Sequence, residues 1–263
     1  MPEKENGEVS NTRYPFIGVV GAVGVGKSEF TWAFVGETGV KKFEEPYQEN
    51  PYLPDFYTKS REDNSFNSQM YFLVMKALQM QTIRGLLQSE AVIQDPAIDV
   101  DFMIANAHRK MGWMTDKEHF TYNTVSGNVT KDLTIPDVYI ALTASKQTIG
   151  QRIIKRGREM ELVMLKESPE YFDFLNDEFN DWLAEARVSK NIVVIDTDNF
   201  GISGDPDDMG YAVEEAKNWT GYYLSSDHQM NLIGSDGAKL IFPSFLRPRV
   251  HVKDDVPGLQ KQI

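Results

Sequence analysis

Gly21-Ala22-Val23-Gly24-Val25-Gly26-Lys27-Ser28 constrains this chain more than any other stretch, because it fits the phosphate-binding pattern G-x-x-x-x-G-K-[ST] without a mismatch. Pro15-Phe16-Ile17-Gly18-Val19-Val20 precedes it and reads as a short buried strand. Glu29-Phe30-Thr31-Trp32-Ala33-Phe34 follows and reads as the first turns of a helix. Strand, loop and helix in that order separate a working loop from a glycine-rich turn that binds nothing. Gly21, Gly24 and Gly26 let main-chain N–H groups converge on an anion, and the helix N-terminus adds its positive end. In such a loop Lys27 sits near the outer phosphates and the Ser28 hydroxyl holds Mg²⁺.

Composition narrows the partners. A net charge of −12 over 263 residues argues against a nucleic-acid polymer, whose binders carry a basic face. A small phosphorylated ligand remains open to it, because a local arginine cluster can dominate its own pocket. There is no cysteine, which excludes disulfides, thiolate metal sites and a cysteine nucleophile. The expected setting is the cytoplasm or another reducing compartment, with no membrane span, since no run of 18 apolar residues occurs. The four histidines have no metal-ligand spacing.

Along the chain, apolar strands alternate with helical stretches. Strands are expected near 15–20, 41–44, 91–95, 138–142 and 191–196. Helices are expected to about 36 and over 66–88, 98–112, 147–156, 168–187 and 209–224. This order implies an α/β fold with a parallel sheet covered on both faces and ligands at the carboxyl ends of the strands. Residues 1–13 read as a disordered arm and 14–224 as the domain. Residues 225–263 read as an extension of unknown role with one β-like piece, 239–242.

Phosphoryl transfer needs positioning, Mg²⁺, positive charge on the transferring oxygens and an oriented acceptor. Asp95 ends an apolar strand, where it serves either the Mg²⁺ shell or the turn into Pro96. Glu45 stands before Pro46, which favours extended backbone, and is either a general base or a solvated acid beside Glu44. Arg152, Arg156 and Arg158 form a cationic run broken by Gly157. Arg152 and Arg156 share a helix face, and forked guanidiniums suit phosphate oxygens.

The phosphate loop, Glu44-Glu45-Pro46, the stretch from Asn50-Pro51 to Phe56-Tyr57, Gln69-Met70-Tyr71-Phe72-Leu73, and Arg152-Ile153-Ile154-Lys155-Arg156-Gly157-Arg158 with Glu161 occur in this order. Together they resemble the deoxyribonucleoside kinase family, particularly its bacterial purine-type branch, over about residues 16–200. The resemblance implies a P-loop kinase fold with a sheet of about five strands and an arginine-rich lid. It implies ATP and Mg²⁺ as cofactors and the 5′-hydroxyl of a deoxynucleoside, a purine one favoured, as acceptor. A homodimer through the apolar helices at 66–88 and 98–112 is expected, or a place in a larger assembly if the chain is non-catalytic. In that family's terms Glu45 is the base and Lys27, Arg152, Arg156 and Arg158 attend the phosphates. Tyr57 and Glu161 hold the 3′-hydroxyl. Gln69, Lys76 and Asp101 lie at the nucleobase.

Two features depart from the pattern. Where the family has an acid followed by Arg and Ser, this chain has Asp95-Pro96-Ala97, and proline supplies neither charge nor donor. The tryptophan expected between Tyr57 and Gln69 is missing, with Asn64 near its place. Lys42 and Lys76 are the candidates for the lost charge. Two other readings stay open: a kinase-fold binding or structural subunit with weak chemistry, and a nucleoside monophosphate kinase.

Overall fold

A computed structural model describes residues 12–198, 206–224 and 239–240. In chain order its elements are β1 (Thr12–Arg13), β2 (Phe16–Val20), α1 (Lys27–Thr38), β3 (Lys41–Glu44), α2 (Leu53–Thr58), α3 (Arg61–Leu86), β4 (Val92–Asp95), α4 (Asp99–Lys110), α5 (Asp116–Thr130), β5 (Val138–Thr143), α6 (Lys146–Arg156), α7 (Glu159–Glu167), α8 (Glu170–Ala186), β6 (Ile192–Asp196), α9 (Pro206–Leu224) and β7 (Lys239–Leu240). Five strands form one parallel sheet in the order β3-β4-β2-β5-β6. The chain leaves β2 toward the β3 edge, then crosses back to build β5 and β6 on the other side. That reversal opens a crevice at the carboxyl end of β2, where the glycine loop begins.

Alternation along β2 makes the two layers. Ile17 and Val19 face a core shared with Phe30 and Phe34 of α1 and Ala212, Val213 and Ala216 of α9. Phe16 and Val20 face the other side, where Leu73 of α3, Met103 of α4 and Phe179 of α8 lie. Gly18 sits between Pro136 and Ala97; a Cβ there would stand 2.7 Å from Pro136 Cγ and 3.0 Å from the Ala97 Cβ. The β4–α4 turn therefore packs directly on the central strand.

Three helices lie where no helix was expected. α2 carries Pro54 in its first turn, where a missing N–H costs nothing, so the Pro-rich stretch folds rather than loops. α5 buries few side chains, among them Tyr122 and Ser126, so its apolar period is faint. Its start was legible all the same as a capping box between Thr115 and Glu118. α7 follows Gly157, whose φ of 66° ends α6 and lets a new helix begin two residues later.

The arm expected over 1–13 ends differently. Thr12 and Arg13 pair in parallel with Lys239 and Leu240, so part of the expected C-terminal extension returns to the start of the domain. Arg13 is buried and its guanidinium donates to both carboxylate oxygens of Asp137 at 2.7 and 2.8 Å. Residues 1–11, 199–205, 225–238 and 241–263 lie outside the described residues. Among the described residues no helix is long and apolar enough to cross a membrane.

His108 belongs to the core. Its ring stacks on Phe56 at 4.6 Å and lies 2.8 Å from Ser65 Oγ and 3.0 Å from the Tyr171 hydroxyl. Burial pushes its pKa down from the usual 6.5 to about 3. Above 6.5 neither state is protonated and the contribution of the neutral ring is complete. As the pH falls toward 3 the unfolded chain takes up a proton that the native ring refuses, and stability drops by up to about 1.4 kcal/mol per pH unit. Urea titrations across that window are expected to show a shallower acid limb in His108→Gln than in wild type; an unchanged limb would assign it to other groups.

Candidate active site

β2, β3 and β4 end on one side of the crevice and deliver the glycine loop, Glu45 and Asp95 to a cleft of about 620 Å³. The loop takes its shape from glycines at positive φ: Gly24 at 87° and Gly26, which precedes α1, at 102°. Lys27 curls over this loop, its Nζ donating to the Gly21 and Ala22 carbonyls at 2.8 and 2.9 Å. Burial lowers the Lys27 pKa, while Asp95 and Glu45 pull it upward.

Asp95 is 4 % exposed at the end of β4. Burial raises its pKa, with Lys27 opposing and the Ser28 hydroxyl bonded to the carboxylate. Its Oδ1 is buried without a hydrogen-bond partner. An orphaned carboxylate oxygen beside a loop serine fits a cation held by one carboxylate, one hydroxyl and phosphate oxygens, the usual manner of Mg²⁺. Among the described residues no group of three His, Cys, Asp or Glu could hold a metal without a nucleotide.

Glu45 follows β3, its N–H bonded to the Asp95 carbonyl at 3.0 Å, and its side chain lines the cleft. Facing it, Tyr57 of α2 and Glu161 of α7 share the same cleft. Burial raises the Tyr57 pKa, and the charge of Glu161 adds to the shift. Glu161 Oε2 accepts from Arg156 Nε and Nη2 at 2.9 and 2.6 Å, and Oε1 from Arg158 at 3.5 Å. The Arg158 guanidinium also lies over the Tyr47 ring at 4.6 Å, linking the start of α7 to the loop after Glu45. Gln69 lines the cleft with its Oε1 buried and unpartnered.

Not every expected residue reaches the cleft. Arg152 does not line it. Its guanidinium is turned to the Val25 carbonyl at 2.8 Å and to Thr197 Oγ1 and O at 2.8 and 2.9 Å, tying the glycine loop to the end of β6. Arg152 thus contacts the glycine loop and Thr197, whereas Arg156 on the same helix lines the cleft. Lys76 and Asp101 lie behind the wall, each 1 % exposed. Lys76 Nζ is 2.7 Å from the Pro96 carbonyl, 3.4 Å from Glu45 Oε1 and 3.8 Å from Asp101 Oδ2. Lys42 turns to Glu44 and lies over the Trp32 ring, so it is not the cation beside Glu45. Asn64 bonds back to the Ser60 carbonyl at 2.9 Å in the first turn of α3. The apolar wall of Phe72, Val100, Ile104 and Met160 was not anticipated. It comes from three helices, and only their packing shows which side chains meet.

A family model described as deoxynucleoside kinase matches residues 17–219. A deoxyadenosine/deoxycytidine kinase of Bacillus subtilis is 33 % identical over 174 residues, 64 % of this chain and 76 % of that protein. A deoxyguanosine kinase of Lactobacillus acidophilus is 28 % identical over 68 % of this chain and 79 % of its own. Among solved structures, a deoxyadenosine kinase from M. mycoides with dCMP and dCDP bound superposes with a TM-score of 0.66 at 26 % identity, covering 77 % of this chain and 97 % of that one. The same M. mycoides enzyme with bound dATP also gives a TM-score of 0.66.

Proposed function

Because the chain belongs to the deoxynucleoside kinase family, we propose that its cleft transfers the terminal phosphoryl group of ATP to the 5′-hydroxyl of a purine deoxynucleoside, with Glu45 as the base. The observation that carries this is the pairing of a glycine loop with Glu45 across one cleft, at the ends of β2 and β3, with Asp95 at the end of β4 between them.

The loop N–H groups and Lys27 grip the donor phosphates. Ser28 and Asp95 would hold Mg²⁺, which would supply neutralising charge to the donor phosphates. Glu45 accepts the proton of the sugar hydroxyl as that oxygen attacks. Tyr57 and Glu161 bind the 3′-hydroxyl, and Arg156 holds Glu161 in place for it. Arg156 and Arg158 line the cleft as lid cations. Arg152 acts at one remove, by fixing the loop through Val25. Gln69 offers its amide to the base edge, with its free Oε1 as acceptor. The purine preference follows the names of the relatives, each of which includes deoxyadenosine or deoxyguanosine, the Bacillus subtilis kinase naming deoxycytidine as well.

The acceptor wall opposes an already phosphorylated substrate. Glu44, Glu45 and Glu49 line it, and the lining cations are Lys27, Arg156 and Arg158. A monophosphate would meet like charge with no clamp of its own. A homodimer is part of the same reading. Its support lies on α3 and α5 rather than α3 and α4, since α4 is packed into the core. Val74 and Leu78 of α3 and Phe120 of α5 are exposed on two helices that touch.

Initial rates with Mg²⁺-ATP and a panel of nucleosides and monophosphates test the proposal. Deoxyadenosine and deoxyguanosine are expected to turn over and monophosphates not. Turnover of monophosphates alone would replace the reading with a monophosphate kinase. Tight ATP binding without any turnover would replace it with a binding subunit.

A further inference from the structure

Among the described residues Lys76 is the one ammonium within ion-pair distance of Glu45, and it approaches from behind the cleft wall. It rises from the middle of α3 and is 1 % exposed. A lysine is rarely left so deeply buried unless its charge is matched. Three oxygens match it here. The Pro96 carbonyl accepts at 2.7 Å, Glu45 Oε1 lies at 3.4 Å and Asp101 Oδ2 at 3.8 Å. The Asp101 oxygen has no hydrogen-bond partner, so its interaction with Lys76 is charge attraction.

The geometry assigns Lys76 as the positioning residue of Glu45: one ammonium fixes the carboxylate's direction and the β4–α4 turn together. The charge that Pro96 cannot supply then comes from α3, with the Pro96 carbonyl as one of its acceptors. Asp101 anchors the ammonium from below and stops it swinging toward the phosphates. Lys27 cannot share this duty, since its own Nζ is bonded to the glycine-loop carbonyls. Lys76 acts through Glu45 and does not touch the transferring group. The assignment rests on the reading of Glu45 as the base.

Steady-state kinetics of K76M, K76R, E45Q and the double variant E45Q/K76M, in the full chain with Mg²⁺-ATP and deoxyadenosine, test it. K76M is expected to lose kcat by about 100-fold, the scale of removing one preorganised charge from such a site, with the KM for ATP unchanged. K76R, which keeps the charge, is expected to recover most of that loss. The double variant is expected to be no slower than E45Q, because a residue acting through Glu45 has nothing left to position. A K76M that raises only the KM for deoxyadenosine overturns the assignment and makes Lys76 a nucleobase contact. A double variant slower than E45Q by the full K76M factor overturns it too. E45Q alone reports on the base reading, so the two failures are told apart. Should K76M fail to bind ATP, and so fail to fold, K76Q carries the same test with a donor but no charge.

Discussion

Glu45→Gln is expected to lower kcat by about 10²–10⁴-fold, the range of a lost general base, while ATP binds as before. The amide keeps the shape of the side chain and removes its capacity to take a proton. Glu45 is suited to the task by placement. Its side chain is 24 % exposed, open enough to meet a hydroxyl yet backed by Lys76. The β3–β4 ladder holds its backbone, Glu44 standing opposite Asp95 and the Glu45 N–H bonded to the Asp95 carbonyl. The base and the proposed Mg²⁺ carboxylate are thus fixed relative to each other by main-chain bonds. Single-turnover measurement with saturating ATP separates chemistry from product release. Normal turnover in this variant would remove Glu45 from the mechanism.

Asp137→Asn is expected to cost about 3–5 kcal/mol of unfolding free energy, the scale for breaking a buried ion pair from one side. The Arg13 and Asp137 side chains are 1 % and 3 % exposed. Asp137 also accepts the Phe16 N–H at 2.8 Å, at the entrance to the central strand. An asparagine can satisfy at most part of this and removes the negative charge that the guanidinium contacts at 2.7 Å. Urea denaturation checks the value. Arg13→Met combined with Asp137→Asn should cost less than the two single changes added, because each single change already removes their shared contact. Strict additivity would mean that the pair is not coupled.

The comparison of sequence with structure turns on particular residues. Asp95 was legible because it ends an apolar run, Glu45 because Pro46 favours extended backbone after a short strand, and strand ends in a parallel sheet point at one crevice. Arg156, Arg158 and Glu161 were legible through the resemblance, and the cleft brings all three together. Arg152 carried the same signal, yet its guanidinium faces the Val25 carbonyl and Thr197, because which side of α6 meets the glycine loop is a matter of helix packing. α2 was hidden by its prolines, and α5 by the scarcity of apolar residues on its buried side. The arm was misjudged at its last residues because polar composition reports nothing about a distant partner. Arg13 is held by a residue 124 positions away and by a strand pairing with Lys239–Leu240.

By itself, the sequence determined the glycine loop between strand and helix, the α/β order and the carboxylates at the strand ends. Those features are local: a loop's glycines, an apolar period and a residue at the end of a run depend on near neighbours. Only the tertiary structure decided which cation stands behind Glu45. Lys76 and Lys42 had equal claim along the chain. The crossing of α3 over the β4–α4 turn placed one against Pro96 and Glu45, and the outer face of β3 placed the other against Trp32. Charge alone does not choose between them; proximity does, and that is set by packing between elements far apart in sequence.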